Sequence, residues 1–142
     1  MSTTVNVNLT DEQATWLEQE AQRLGTSPAE VIAYRIEEAQ RESRFQNLDF
    51  RDTIIGREVY IRGTRLKVWH VMMYAKDGEL DIVKFAEDFV VRPEAVADAL
   101  AYARTYADEI EAIFAEIDYI SENIEQFVPG IEVFRLDASH TR

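Results

Sequence analysis

The stretch Gly56–Ala103, GREVYIRGTRLKVWHVMMYAKDGELDIVKFAEDFVVRPEAVADALAYA, decides how the chain is read. Val59 and Ile61 alternate with Tyr60 and Arg62, and beyond Gly63-Thr64 the residues Leu66 and Val68 alternate with Arg65 and Lys67. A period of two marks half-buried strands, so this opening predicts a hairpin with one apolar and one basic face. Helical spacing then takes over, with Val71, Met72 and Ala75 in one segment and Ile82, Phe85, Ala86 and Phe89 in the next. A third segment follows Pro93, with Val96, Ala99, Leu100 and Ala103 on one face. A hairpin plus three short helices predicts a helix-turn-helix-like unit.

Ile61-Arg62-Gly63-Thr64-Arg65-Leu66, followed by Val68, Gly78, Ile82, Phe89, Pro93-Glu94, Val96 and Ala99-Leu100, resembles the domain of unknown function 433 family. The resemblance implies a helix-turn-helix-like antitoxin, of the kind often encoded beside a PIN-like ribonuclease toxin. Where that family usually has a proline before its first strand, this sequence has Glu58-Val59.

Upstream, Val5, Val7 and Leu9 alternate with Thr4, Asn6 and Asn8, which predicts one short strand with no hairpin partner nearby. Thr10 is placed to cap a helix, with Asp11 and Glu12 in its first turn, Gln13 set for a capping box, and Gly25 at its end. Ala14, Leu17, Ala21 and Leu24 form its buried stripe. Ser27 and Pro28 open a second helix whose inner face is Val31, Ile32, Ile36 and Ala39. A lone strand leaves its backbone groups unpaired, so two copies must join through an antiparallel ribbon. The segment is similar to the ribbon-helix-helix repressors and antitoxins. That resemblance implies DNA bases for Thr4, Asn6 and Asn8 and backbone phosphate for Thr26 and Ser27. The strand carries no Arg or Lys, so the ribbon either reads DNA or serves dimerisation only.

Residues 45–55 have no clear period and read as a linker, although Phe45, Leu48 and Phe50 point to local packing. Charge is uneven. Residues 1–44 carry a net −4, residues 45–75 a net +2, and residues 76–142 a net −10 of the chain's −12. Such acidity opposes a bulk grip on nucleic acid, whose affinity comes largely from Lys and Arg replacing counterions. Arg62, Arg65 and Lys67 lie in the one positive window, as either a phosphate or partner contact or a solvated face.

Val96, Ala99, Ala103, Tyr106, Ile110, Ile113, Ile117, Ile120, Ile124 and Phe127 keep a three-four spacing, which predicts one long C-terminal helix of roughly 50 Å. Its far half, Ile113, Ile117, Ile120, Ile124 and Phe127, exceeds what a small domain covers and is expected to bind a partner, unless a break near Ser121 folds it back. Asp108, Glu109, Glu111, Glu116, Asp118, Glu122 and Glu125 make its outer face anionic, which suits a partner with a basic cleft. After Pro129-Gly130, the residues Val133, Phe134 and Leu136 form an extended apolar segment, either added to a partner's sheet edge or tucked onto its own domain.

Little in the sequence suggests catalysis. His70 and His140 lack a ligand or nucleophile partner at useful spacing, Gly63 and Gly78 are isolated, and the carboxylates form no recognisable acid–base pair. Neither cofactor nor metal is expected. Cysteine is absent, no stretch reaches the roughly 20 apolar residues of a membrane span, and the start resembles no signal peptide, so a cytoplasmic location is expected.

The expected architecture is therefore mainly α. It comprises a dimeric ribbon-helix-helix at 1–44, a linker at 45–55, a hairpin plus helix-turn-helix-like domain with a long C-terminal helix at 56–127, and a tail at 128–142. The expected function is that of a type II antitoxin, a homodimer or higher homo-oligomer that binds operator DNA as a repressor and neutralises a PIN-like ribonuclease toxin. An oligomeric scaffold that never touches DNA is the alternative.

Overall fold

The computed structural model describes residues 1–128 together with 130 and 132. It is mainly helical and divides into two compact units, Met1–Gln46 and Asn47–Arg142.

In the first unit, helix α1 (Asp11–Leu24) starts where Thr10 and Gln13 cap one another. The Gln13 N–H donates to Thr10 Oγ1 at 3.1 Å and the Thr10 N–H to Gln13 Oε1 at 3.0 Å. Gly25, with φ 66°, supplies the left-handed residue that ends the helix. Helix α2 (Pro28–Arg44) starts at Ser27, whose Oγ accepts the Glu30 N–H at 3.2 Å. Leu17, Ala21 and Val31 form the small core between them. Arg35 reinforces the pair by donating to Glu20 at 3.1 Å. The inner face expected of α2 is covered only at Val31, whereas Ile32 and Ile36 remain 42% and 57% exposed. Residues 1–10 have no secondary structure in the single chain, and Val5, Val7 and Leu9 are exposed.

The second unit begins with strand β1 (Leu48–Thr53), which falls inside the stretch read as a linker. It pairs antiparallel with β2 (Gly56–Ile61), from Leu48 opposite Ile61 to Thr53 opposite Gly56. The hairpin thus lies upstream of the expected one, and its loop is Ile54-Ile55 rather than Gly63-Thr64. After β2 the chain makes a single bridge, Tyr60 to Lys67, and Val68 enters helix α3 (Val68–Met73) instead of continuing as a strand. Arg51 fixes this corner, donating to Thr64 O at 2.6 Å while its guanidinium lies 4.4 Å from the centre of the Tyr60 ring.

Asp81 caps helix α4 (Ile82–Phe89), and Val90 to Arg92 lead into helix α5 (Pro93–Thr105). α5 is the core helix, in contact with both strands, α3 and α4. Val96, Ala99 and Tyr102 have no exposed surface. Asp98 anchors its outer side by accepting the Asn47 backbone and side-chain N–H groups at 3.0 and 2.9 Å.

The single long helix is not found. The helical run breaks at Tyr106 (φ −114°, ψ 47°), continues as α6 (Ala107–Glu122), breaks again at Asn123, and ends in the short α7 (Ile124–Phe127). Side chains at both breaks compete for helix carbonyls: Thr105 Oγ1 donates to Ala101 O and Asn123 Nδ2 to Tyr119 O, each at 2.9 Å. Such local bonds weaken and bend helices. The first break turns α6 back over α3, burying Ile110 and setting Phe114 edge-on to Trp69 with ring centres 6.4 Å apart. Among the described residues, no helix is long and apolar enough to cross a membrane.

Candidate partner-binding groove and DNA-facing segment

The refolding of α6 creates a concave site. A cavity of about 240 Å³ lies between the hairpin, α3 and α6, lined by the apolar Phe50, Ile55, Trp69, Ile113, Ile117 and Ile120, with Arg57, Glu58, Glu109 and Glu116 among its polar residues. Ile113, Ile117 and Ile120, expected to lie along a rod, thus form one wall of a pocket. Ile124 is half-buried in α7, and Phe127 meets Tyr119 edge-on at 6.2 Å. Val133, Phe134 and Leu136 lie outside the described residues. Phe50, Ile55 and Trp69 complete the site. Their sequence signal is weak, since Phe50 is one apolar residue in a polar stretch and no periodicity singles out Ile55 or Trp69.

Polar groups hold the cavity floor. Glu58, 8% exposed, accepts from Trp69 Nε1 at 3.2 Å and pairs with the Lys67 ammonium at 2.8 Å. Burial pushes the Glu58 carboxyl up, but hydrogen bonds from Lys67, Thr53 and Trp69 outweigh it and leave the group below its ordinary range. His70 Nδ1 accepts the Lys67 backbone N–H at 3.0 Å, and burial beside the Lys67 ammonium lowers the imidazole below its ordinary value, against the opposing pull of Glu58.

The positive window is largely engaged within the fold. Lys67 is held by Glu58 and flanked by the Tyr60 and Trp69 rings, and Arg62 donates to Leu48 O at 2.9 Å. Arg57 pairs with Asp52 at 3.4 Å and donates to Phe50 O, while Arg65 is exposed. In the first unit Thr4, Asn6 and Asn8 are exposed, as is Ser27. The Thr26 hydroxyl donates to the Glu30 carboxylate, so a carboxylate already lies beside the N-terminus of α2. The site residues therefore fall into separate groups: the ribbon segment and the α2 N-terminus in one unit, the hairpin cations and the isoleucine wall in the other.

The hairpin, α3, α4 and α5 coincide with a known family. Residues 50–103 match the family described as protein of unknown function DUF433. The match starts within β1 and stops near the end of α5, so α6 and its half of the cavity lie beyond the family region. No curated protein and no solved structure matches the chain.

Proposed function

We propose that this chain is the antitoxin of a type II toxin–antitoxin pair, dimerising through a ribbon-helix-helix, binding its own operator and neutralising a PIN-like ribonuclease. The observation that carries the reading is the uncovered apolar surface of the first unit. Trp16, Ile32 and Ile36 border one shallow depression, and Val5, Val7 and Leu9 are bare on the preceding segment. Two well-capped helices behind an alternating, unpaired segment are half of a ribbon-helix-helix, and a second chain would pair the segments and cover both helices. Family resemblance supplies the nuclease partner, and α6 with its acidic face supplies a surface suited to a basic cleft. In this reading α5 supports the fold and does not enter a DNA groove, because its interior face is the core and Glu94 and Asp98 lie on its outer side.

A second reading, an oligomeric scaffold that does not bind DNA, is favoured by the engagement of Lys67, Arg57 and Arg62 within the fold. A mobility shift with the DNA upstream of the coding sequence separates the two. The antitoxin reading expects a complex with the wild-type protein that is lost on joint Asn6→Ala and Asn8→Ala substitution. Complete absence of a wild-type shift selects the scaffold.

A further inference from the structure

We propose that the cavity between the β1–β2 hairpin, α3 and α6 receives one large apolar side chain from a basic helix of a partner protein. The inference deepens the reading above. It rests on α6 being a partner-binding face and not on the partner being a nuclease.

Size comes first. At about 240 Å³ the cavity is smaller than the roughly 300–1,000 Å³ of small-molecule sites and is on the scale of a pocket for one anchor residue. Its apolar walls are Trp69, Phe50 and four isoleucines, so the group entering it is apolar.

Charge identifies what surrounds that group. Glu109 and Glu116 line the cavity from α6, Arg57 of the hairpin, the one cation among the described residues of the lining, is paired with Asp52, and the rest of α6 carries Asp108, Glu111, Asp118 and Glu122 with no Lys or Arg. Glu109 receives the Tyr102 hydroxyl at 2.5 Å, which fixes it at the cavity edge. The two glutamates are seven residues apart, which is two helical turns or about 10 Å, with Ile113 midway between them. A partner helix laid along α6 meets this row when two basic residues two turns apart flank one large apolar residue. Nucleic acid is repelled by the same carboxylates. A second copy of this chain is the wrong occupant, since none of its described helices has more basic than acidic residues.

The probe is a synthetic helix-forming peptide with two lysines two turns apart and a phenylalanine between them. It is titrated into full-length protein carrying Trp16→Phe, which leaves Trp69 as the reporter indole. Saturable change in Trp69 emission is expected, with binding at least tenfold weaker when the peptide phenylalanine is alanine. Ile120→Asp, at the exposed edge of the cavity, should weaken binding at least fivefold. Glu116→Lys should weaken it about threefold and flatten its salt dependence. Circular dichroism and an unchanged urea midpoint confirm that both variants fold.

No saturable change overturns the proposal, as does equal binding by a peptide with glutamates in place of the lysines or an unchanged affinity in Ile120→Asp. A response to the small aromatic amine phenethylamine without one to the peptide also overturns it, assigning the cavity to a small molecule. Peptide binding by a protein that inhibits no PIN-like ribonuclease leaves this inference standing and removes the antitoxin reading. Inhibition that survives both Ile120→Asp and Glu116→Lys, together with no saturable peptide binding, does the reverse.

Discussion

Helices α2 and α5 are built alike and end in different surroundings. Each begins at a proline and carries an apolar stripe, yet within the second unit α5 is sheathed by two strands and three helices, whereas within the first unit α2 has only α1 to pack against. Val96, Ala99 and Tyr102 of α5 are wholly buried, while Ile32 and Ile36 of α2 face water. Periodicity therefore specifies which face of a helix seeks cover, and the count of neighbouring elements decides whether one chain can provide it. Fully burying an exposed isoleucine is worth about 1.5–3 kcal/mol, and with Ile32 and Ile36 still 42% and 57% exposed, about half of that at each is the return available to a second copy of the chain.

The largest effect separating the two helices is expected at the centre of α5. Tyr102→Ala removes a fully buried ring, its edge contact with Phe50 at 6.3 Å and its hydroxyl bond to Glu109, so the second unit should lose about 3–5 kcal/mol in urea unfolding. Ile36→Ala, measured on a monomer-forming background, should cost less than about 1 kcal/mol, as a wet site does. Equal losses at the two positions would erase the distinction between a covered and an uncovered stripe.

Next in size is the loss of self-association. Joint Ile32→Glu and Ile36→Glu substitution should convert a dimer to a monomer in sedimentation equilibrium while moving the unfolding of the second unit by less than about 0.5 kcal/mol. A mass unchanged from wild type would mean that the bare face of the first unit does not hold two chains together.

The contrast also explains which features could be read beforehand. The ends of α1 and α2 were legible because Thr10, Gln13, Gly25 and Ser27 act within their own turns. The buried row of α5 was legible for a similar reason, as its three-four spacing is local. The hairpin was misplaced because its loop is Ile54-Ile55, two β-branched residues where tight hairpins favour Asn-Gly or Asp-Gly, while the more turn-like Gly63-Thr64 lies one corner further on. Of the two breaks in the C-terminal run, the one at Asn123 lies two residues from the break near Ser121 that the sequence offered as an alternative, whereas the one at Tyr106 was hidden: Thr105 bends the helix through a side-chain bond to a carbonyl, and neither Pro nor Gly marks the place. Because the first break brings Ile113, Ile117 and Ile120 against Phe50, Ile55 and Trp69, the candidate site could not be assembled from spacing alone. Its walls come from elements far apart in sequence.

The smallest expected effect concerns how the two units respond to acid. In the first unit Glu20 is held below its ordinary range chiefly by the hydrogen bond from Arg23, with a further bond from Arg35, and these bonds stay intact until the pH falls well into the carboxylate range. The second unit has an earlier weakness in His70. Its ordinary value is 6.5 and folding depresses it, because burial and the Lys67 ammonium oppose the charged form. The unfolded chain therefore binds this proton more readily than the folded one. The stabilisation from neutral His70 is fully present above 6.5 and is lost as the pH falls through the lower folded value. Glu58 follows in a more acidic window, its contribution present above 4.5 and lost as the pH falls through its depressed folded value. Urea midpoints of the second unit should therefore decline just below pH 6.5, ahead of the carboxylate range, and His70→Gln should remove that first decline while leaving the second. If the first decline persists in His70→Gln, another group titrates there, and the burial of His70 beside the Lys67 ammonium is not what makes the two units differ in acid.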